Sequence, residues 1–334
     1  MGRGKLALRI AGVALVAALV PLVLIGCGKP TEGDADNTWP ADKTGPKVVV
    51  SFAPLYCFAA NVAGDDATVK NVMTTTGPHE FSPTPSDVRL VTKADVMFVI
   101  GLGLDEKQAE AMKTGSGNTS LDVVELGEKL PRDKLLEGHN DHDEKDKGAD
   151  HHHDQDPHVW LSPDHAVLLV NLIRDTLKEK DPAHAAGYEA RAAAYVAKLE
   201  KLKADGLAEL KGGQDNRLVT FHDSMAYFAN AYGLDIRGVL TQKPGQEPDD
   251  KQMRRLIRIC TDETKPTRVI AVEPQYSGSN SGETLKKELA AKGVKNPVLV
   301  EFNTLETVQP GDLKPDWYEK EMARNVKALA AALK

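Results

Sequence analysis

The chain has 334 residues, with 42 Lys and Arg against 49 Asp and Glu, ten His and three Cys, and a formal net charge of −7. That length allows about two domains with real hydrophobic cores. The acidic balance gives no support to a nucleic-acid-binding surface, and three cysteines cannot build a disulfide scaffold or a Cys-rich zinc module. With 41% hydrophobic and 27% charged residues, most of the chain reads as an ordinary globular protein.

The N-terminus reads as an export signal. Arg3, Lys5 and Arg9 precede an apolar stretch from Ile10 to Ile25 that only Gly12 and Pro21 interrupt. About 16 residues is short for a spanning helix and suits a signal h-region. The stretch ends in Leu24-Ile25-Gly26-Cys27, which resembles the lipobox of bacterial lipoproteins. The resemblance implies that residues 1–26 are removed and that Cys27 becomes a lipidated N-terminus, held at a membrane without spanning it. The competing reading is a permanent N-terminal membrane helix. Residues 27–47, with three prolines and several polar and acidic groups, read as a flexible tether. A short ordered arm pinned by Trp39 is the alternative. Cys57 and Cys260 lie in apolar or helical surroundings and read as buried free thiols, although an export compartment would permit a disulfide.

From Lys47 onward, short apolar runs alternate with helical ones. Residues 47–51, 69–73 and 96–100 read as strands, and near-continuous apolar runs such as VMFVI suit a parallel sheet covered on both faces. Helices are predicted near 55–63, 86–93 and 105–113. The second half repeats the grammar, with strands at 217–220, 268–272 and 297–301 and helices near 224–232, 249–264, 283–292 and after Asp316. Two such blocks predict an α/β fold of two parallel-sheet lobes flanked by helices. Between them, Tyr188, Ala192, Tyr195, Leu199 and Leu202 fall on one helical face. Asp181-Pro182 is a start signal and Gly212-Gly213 a stop, so the helix would run about 40 Å and touch both lobes. Gly187 and Gly206 are the two places where it could break. The expected organisation is a first lobe over 48–182, one long linking helix over 183–212 and a second lobe over 213–334. A helix is stiffer than a loop hinge, so the lobes should move little.

The histidines carry the chemistry. Five of them (His139, His142, His151, His152 and His153) fall among five acids in the 139–153 segment, which contains almost nothing apolar. This segment reads as a solvated insertion suited to binding divalent ions weakly, as an accessory metal loop, or else as a charged insertion without a metal role. His79, His158 and His222 lie instead at the ends of predicted elements, where α/β sheets place their ligands. His165 and His184 read as helix-surface residues.

The runs around these three histidines resemble a known family. Gly77-Pro78-His79-Glu80-Phe81-Ser82-Pro83-Thr84-Pro85-Ser86-Asp87, Asp156-Pro157-His158-Val159-Trp160-Leu161-Ser162-Pro163, Phe221-His222-Asp223-Ser224-Met225-Ala226-Tyr227-Phe228 and Glu273-Pro274-Gln275-Tyr276-Ser277 are similar to the motifs of zinc- and manganese-binding lipoproteins of bacterial ABC import systems, the cluster A-I (cluster 9) solute-binding proteins. The resemblance runs from about Lys47 to the C-terminus. It implies two α/β lobes joined by a rigid backbone helix, with one metal in the cleft held by His79 and His158 from the first lobe and His222 from the second. Three imidazoles favour Zn(II) over Mn(II), which suits oxygen-rich sites.

The fourth position departs from the family pattern. The family commonly carries Asp-Pro-Leu after the last strand, where this chain has Asn303-Thr304-Leu305. The resemblance therefore points to Asn303, with Glu301, Glu80 or a water as alternatives. Glu273 could orient a ligand imidazole, or serve in a structural salt bridge or cap. The expected function is an exported, lipid-anchored, monomeric protein at a bacterial membrane, facing the periplasm or the cell exterior. It captures Zn(II) and passes it to an ABC permease and its ATPase, without enzymatic activity. A three-His zinc hydrolase or hydratase is the competing enzyme class, and an adhesin with a structural metal the competing non-transport one.

Overall fold

Alternation of side chains along a strand explains why the valine-rich runs are apolar throughout. In the computed structural model, β1 (Lys47–Val50) directs Val48 and Val50 into a core that also holds Trp160 and Tyr195, and directs Val49 to the opposite face, against Leu90 and Met112. β3 (Val96–Val99) divides its residues in the same way. The structure describes residues 1–2, 39–40, 44–138, 155–213, 215–241, 245–262, 264–276 and 280–334. Cys27 and His139, His142, His151, His152 and His153 lie outside the described residues.

The chain divides into Met1–Asp36 and Asn37–Lys334, and the second unit carries both sheets. The first sheet has the order β2-β1-β3-β4, with β2 at Thr68–Asn71 and β4 at Asp122–Glu125. The second has the order β6-β5-β7-β8, formed by β5 (Arg217–His222), β6 (Asp235–Thr241), β7 (Val269–Val272) and β8 (Val298–Glu301). All pairings between these strands are parallel. α2 (Pro85–Val91) and α3 (Glu106–Ser116) cover the outer face of the first sheet, and α7 (Asp250–Cys260) and α8 (Ser281–Ala291) that of the second. α1 (Ala53–Ala63), α4 (Pro163–Lys180), α5 (Ala185–Leu210), α6 (Ala226–Tyr232) and α9 (Trp317–Leu333) contribute to one core shared by the inner faces of both sheets.

α5 is the linking helix, and it runs unbroken through Gly187 and Gly206. Its predicted apolar face is the buried one, with Tyr188, Ala192, Tyr195 and Leu199 buried and Leu202 half-buried. Arg191 fixes it to the first lobe by donating to Val62 O, Ala63 O and Asp66 Oδ2. Tyr195 fixes it to α9 by donating to Glu319 Oε2 at 2.8 Å. Gly206 is buried where the ring of Tyr232 lies against the helix, leaving no space for a side chain.

Three elements escape the sequence reading. α4 begins directly behind the histidine motif, with Ser162 as N-cap and Pro163 in the first turn. β4 and β6 are edge strands whose half-buried faces blur the apolar pattern, and β6 carries Gly238 beside a register shift in its pairing. Cys57 and Cys260 are buried free thiols, with burial pushing the Cys260 thiol up to about 12. Trp39 packs against the outer core of the first lobe and donates to Leu90 O. No helix among the described residues is long and apolar enough to cross a membrane.

Candidate metal centre

Each lobe supplies site residues from places where regular structure stops. His79 lies in the turn between β2 and α2, in which Glu80 N donates to Gly77 O and Thr84 begins α2 with a capping box. His158 opens the 3₁₀ turn Val159–Leu161. Asp156, two residues before it, accepts from both His158 N at 2.9 Å and the ring Nδ1 at 2.7 Å.

His222 is the last residue of β5, at the point where the strand order of the second sheet reverses between β5 and β7. Open α/β sheets bind ligands at such a reversal. Register explains its neighbour. Val219 pairs with Ile270, so continuing along both parallel strands sets His222 opposite Glu273. Both Glu273 oxygens stand 2.7 Å from His222 Nδ1.

The three imidazoles converge. His158 Nε2 is 3.3 Å from both His79 Nε2 and His222 Nε2. Glu306 completes the group, with Oε1 at 3.6 Å from His222 Nε2, 3.8 Å from His158 Nε2 and 3.9 Å from His79 Nε2. Ligand atoms of the four residues all lie within 4.8 Å of one another, a set able to hold one metal ion. Zinc–nitrogen bonds of about 2.0–2.1 Å in a tetrahedron put neighbouring ligand atoms about 3.3–3.4 Å apart, close to the separation of His158 Nε2 from each of the other two imidazoles.

Electrostatics favour a cation at the centre. Glu306 is fully buried, and a buried carboxylate facing three imidazoles is costly until a positive charge neutralises it. Because carboxylates only accept hydrogen bonds, Asp156 and Glu273 hold the proton of His158 and His222 on Nδ1 and leave Nε2 with its lone pair. Burial pulls the His222 imidazole down, but the charge and hydrogen bond of Glu273, followed by Glu306, carry it above its ordinary value. His158 and His222 are buried, while His79 stands at the solvent side with 25% of its side chain exposed.

The fourth member corrects the sequence expectation. Asn303 does not face the cluster. Its Oδ1 accepts from Leu305 N at 2.8 Å and its Nδ2 donates to Glu321 Oε2 at 3.0 Å. Glu301 ends β8 on the exposed side, and Glu80 is exposed beside the segment at Gly245, so neither belongs to the group. Glu306 takes the place because the chain turns sharply after Asn303. A signal for it existed, since Glu306 is the sole charged residue between Glu301 and Asp312. His165 is half-buried in α4, donating from Nε2 to Lys134 O, and His184 lies on the surface against Asp181.

Three further hydrogen bonds tie the lobes together at the site. Trp160, behind His158, donates from Nε1 to Thr304 O at 2.8 Å. Tyr227 of α6 donates to Asp156 O and accepts from Leu136 N.

Comparison with known proteins gives one consistent family. The family described as "Zinc-uptake complex component A periplasmic" matches residues 48–332. The chain is 31% identical over 321 residues to the zinc-binding lipoprotein AdcA of Streptococcus pneumoniae, covering 94% of this chain and 59% of that protein. It thus spans well under two thirds of the length of that relative. It is also 31% identical over 254 residues to the manganese-binding lipoprotein MntA of Halalkalibacterium halodurans, covering 75% of this chain and 77% of that one. Among solved structures, a Zn(II)-bound mutant variant of AdcAII from Streptococcus pneumoniae superposes with a TM-score of 0.71 at 27% identity, covering 87% of this chain and 99% of that one.

Proposed function

The chain belongs to the family of periplasmic zinc-uptake components A, and from that premise we propose that it captures Zn(II) outside the cytoplasm and hands it to an ABC import permease. The observation that carries the reading is the convergence of His79, His158, His222 and Glu306, the last three of them buried. Imidazole nitrogen with one carboxylate is a donor set suited to zinc. The likeness to a protein named for manganese binding supports Mn(II) as the second reading. A hydrolase fits less well, because catalytic zinc keeps a vertex open for water and four converging protein ligands fill a tetrahedron.

The lipobox-like run ending in Cys27 and the likeness to proteins named lipoproteins support an exported chain anchored at a membrane. The 139–153 segment serves as an accessory, weaker cation-binding stretch.

Titration of the chain lacking residues 1–26 with Zn(II) and Mn(II), against a competing chelator, tests this function. One tight equivalent with zinc preferred is expected. His79→Ala, His158→Ala, His222→Ala and Glu306→Gln should each weaken that equivalent by more than about 100-fold, the upper range for altering groups that only support the ligands. Deletion of residues 139–153 should leave it intact. Unchanged affinity in all four ligand variants overturns the site, and tighter manganese binding transfers the assignment to that ion.

A further inference from the structure

The residue that bears Glu306 into the site stands in an unusual conformation. Leu305 is fully buried and has φ +63, in the left-handed region that a branched, non-glycine side chain rarely occupies. Such conformations persist only where the surroundings over-determine them, and they concentrate at functional sites.

The surroundings here are a set of hydrogen bonds centred on Asn303. Its side-chain Oδ1 accepts from Leu305 N at 2.8 Å and closes a turn two residues long. Asn325 of α9 grips the backbone of the same residue twice, with Oδ1 accepting from Asn303 N at 2.9 Å and Nδ2 donating to Asn303 O at 2.7 Å. Glu321, one turn earlier on α9, accepts from Asn303 Nδ2. Thr304 between them is held through its carbonyl by Trp160 and through its hydroxyl by Gln275. On the outer side, Gln275, Asn303, Glu321 and Asn325 line a cavity of about 410 Å³. The outer side of the turn is therefore fixed by directional bonds and not by dense packing.

We propose that Asn303 is a positioning residue: its side chain holds Leu305 in the left-handed conformation that turns Glu306 toward the three imidazoles. The proposal rests on the reading of Glu306 as a ligand. It gives the polar residue at this position a role one step removed from the ion, and it makes the Asn303 cap and the α9 residues Glu321 and Asn325 part of the apparatus that sets affinity. An Oδ1 acceptor is the feature the turn needs, so aspartate can substitute in part, although it loses the bond to Glu321 and sets a second carboxylate against it.

A double-mutant cycle tests it, reading zinc affinity by chelator competition and the absorption spectrum of the Co(II)-loaded chain. Asn303→Ala is expected to weaken zinc by about 10–100-fold, the range for groups that orient a ligand. Asn303→Asp should recover part of that loss. In the Glu306→Gln background, Asn303→Ala should have no further effect, and the Co(II) spectra of Asn303→Ala and Glu306→Gln should share the same displaced bands. Should Asn303→Ala fail to fold, Glu321→Ala removes the anchor on Nδ2 and should show a smaller loss that also vanishes in the Glu306→Gln background. An Asn303→Ala loss of equal size in both backgrounds, or no loss while Glu306→Gln weakens binding, overturns the positioning role alone. Equal zinc binding by the native chain and Glu306→Gln overturns the ligand reading, and the positioning role with it.

Discussion

Glu273 meets His222 with both of its carboxylate oxygens, each 2.7 Å from Nδ1, across the two strands that flank the reversal in the second sheet. The contact fixes the ring tautomer and raises the affinity of the ring for its last proton. Glu273→Ala is therefore expected to weaken zinc binding by about 10–100-fold, with Glu273→Gln in between because it retains an acceptor. Chelator competition near neutral pH measures both. Equal affinities for the native chain and the alanine variant would refute the role.

The same contact sets a pH dependence. In the metal-free fold, a raised His222 means that the folded chain binds this proton more tightly than the unfolded one. The stabilisation is complete below the ordinary value of 6.5 and is lost as pH rises through the raised value. Zinc competes with that proton for the ring, so its affinity should fall as pH is lowered through a window that begins above 6.5. Glu273→Ala removes the chief opponent of burial and should shift that window to lower pH. Affinity measured across the range in both proteins checks the direction.

Trp160 and Thr304 join the lobes beside the site. Trp160→Phe keeps a ring in the core but removes the donor to Thr304 O, leaving a buried carbonyl short of its partner. The expected loss is about 1–3 kcal/mol, seen as a lower urea midpoint at unchanged slope. A midpoint equal to that of the native chain would count against the bond as a tie between lobes.

Gly206 offers a case in which two effects oppose. Alanine is favoured over glycine within a helix by about 1 kcal/mol. A Cβ here would lie 2.5 Å from Tyr232 Cε1, however, and overpacking of this kind costs about 1–3 kcal/mol. Packing should win, so Gly206→Ala is expected to lower thermal stability. A stabilised variant would show that the Tyr232 ring can yield.

Much of this arrangement was legible in the sequence because it is carried by local pattern. The paired blocks of apolar runs, the spacing of Tyr188 to Leu199 and the histidines at element ends all lie within short windows. The fourth site member was not legible, because it depends on Asn303 turning its side chain back to Leu305 N and sending the next acid inward. For Glu273 the sequence offers the orienting role only as one of two options, because its partnership with His222 rests on strand register between residues 51 apart, which no window contains. β4, β6 and α4 escape the sequence pattern for related reasons, the two strands being half-buried edges and the helix beginning inside a motif.

The inner faces of both sheets feed one apolar cluster, which runs from Val48 through Tyr188 and Tyr195 to Leu218, Val269 and Leu333. Neither lobe could expose its share without stripping cover from the other. The two lobes should accordingly denature in a single cooperative transition, with no half-folded species between. Cargo bound by four side chains would then protect all of Asn37–Lys334, by about 2.7 kcal/mol when free zinc stands roughly 100-fold above its dissociation constant. A protein built this way is hardest to unfold, and hardest to digest, while it is carrying its ion.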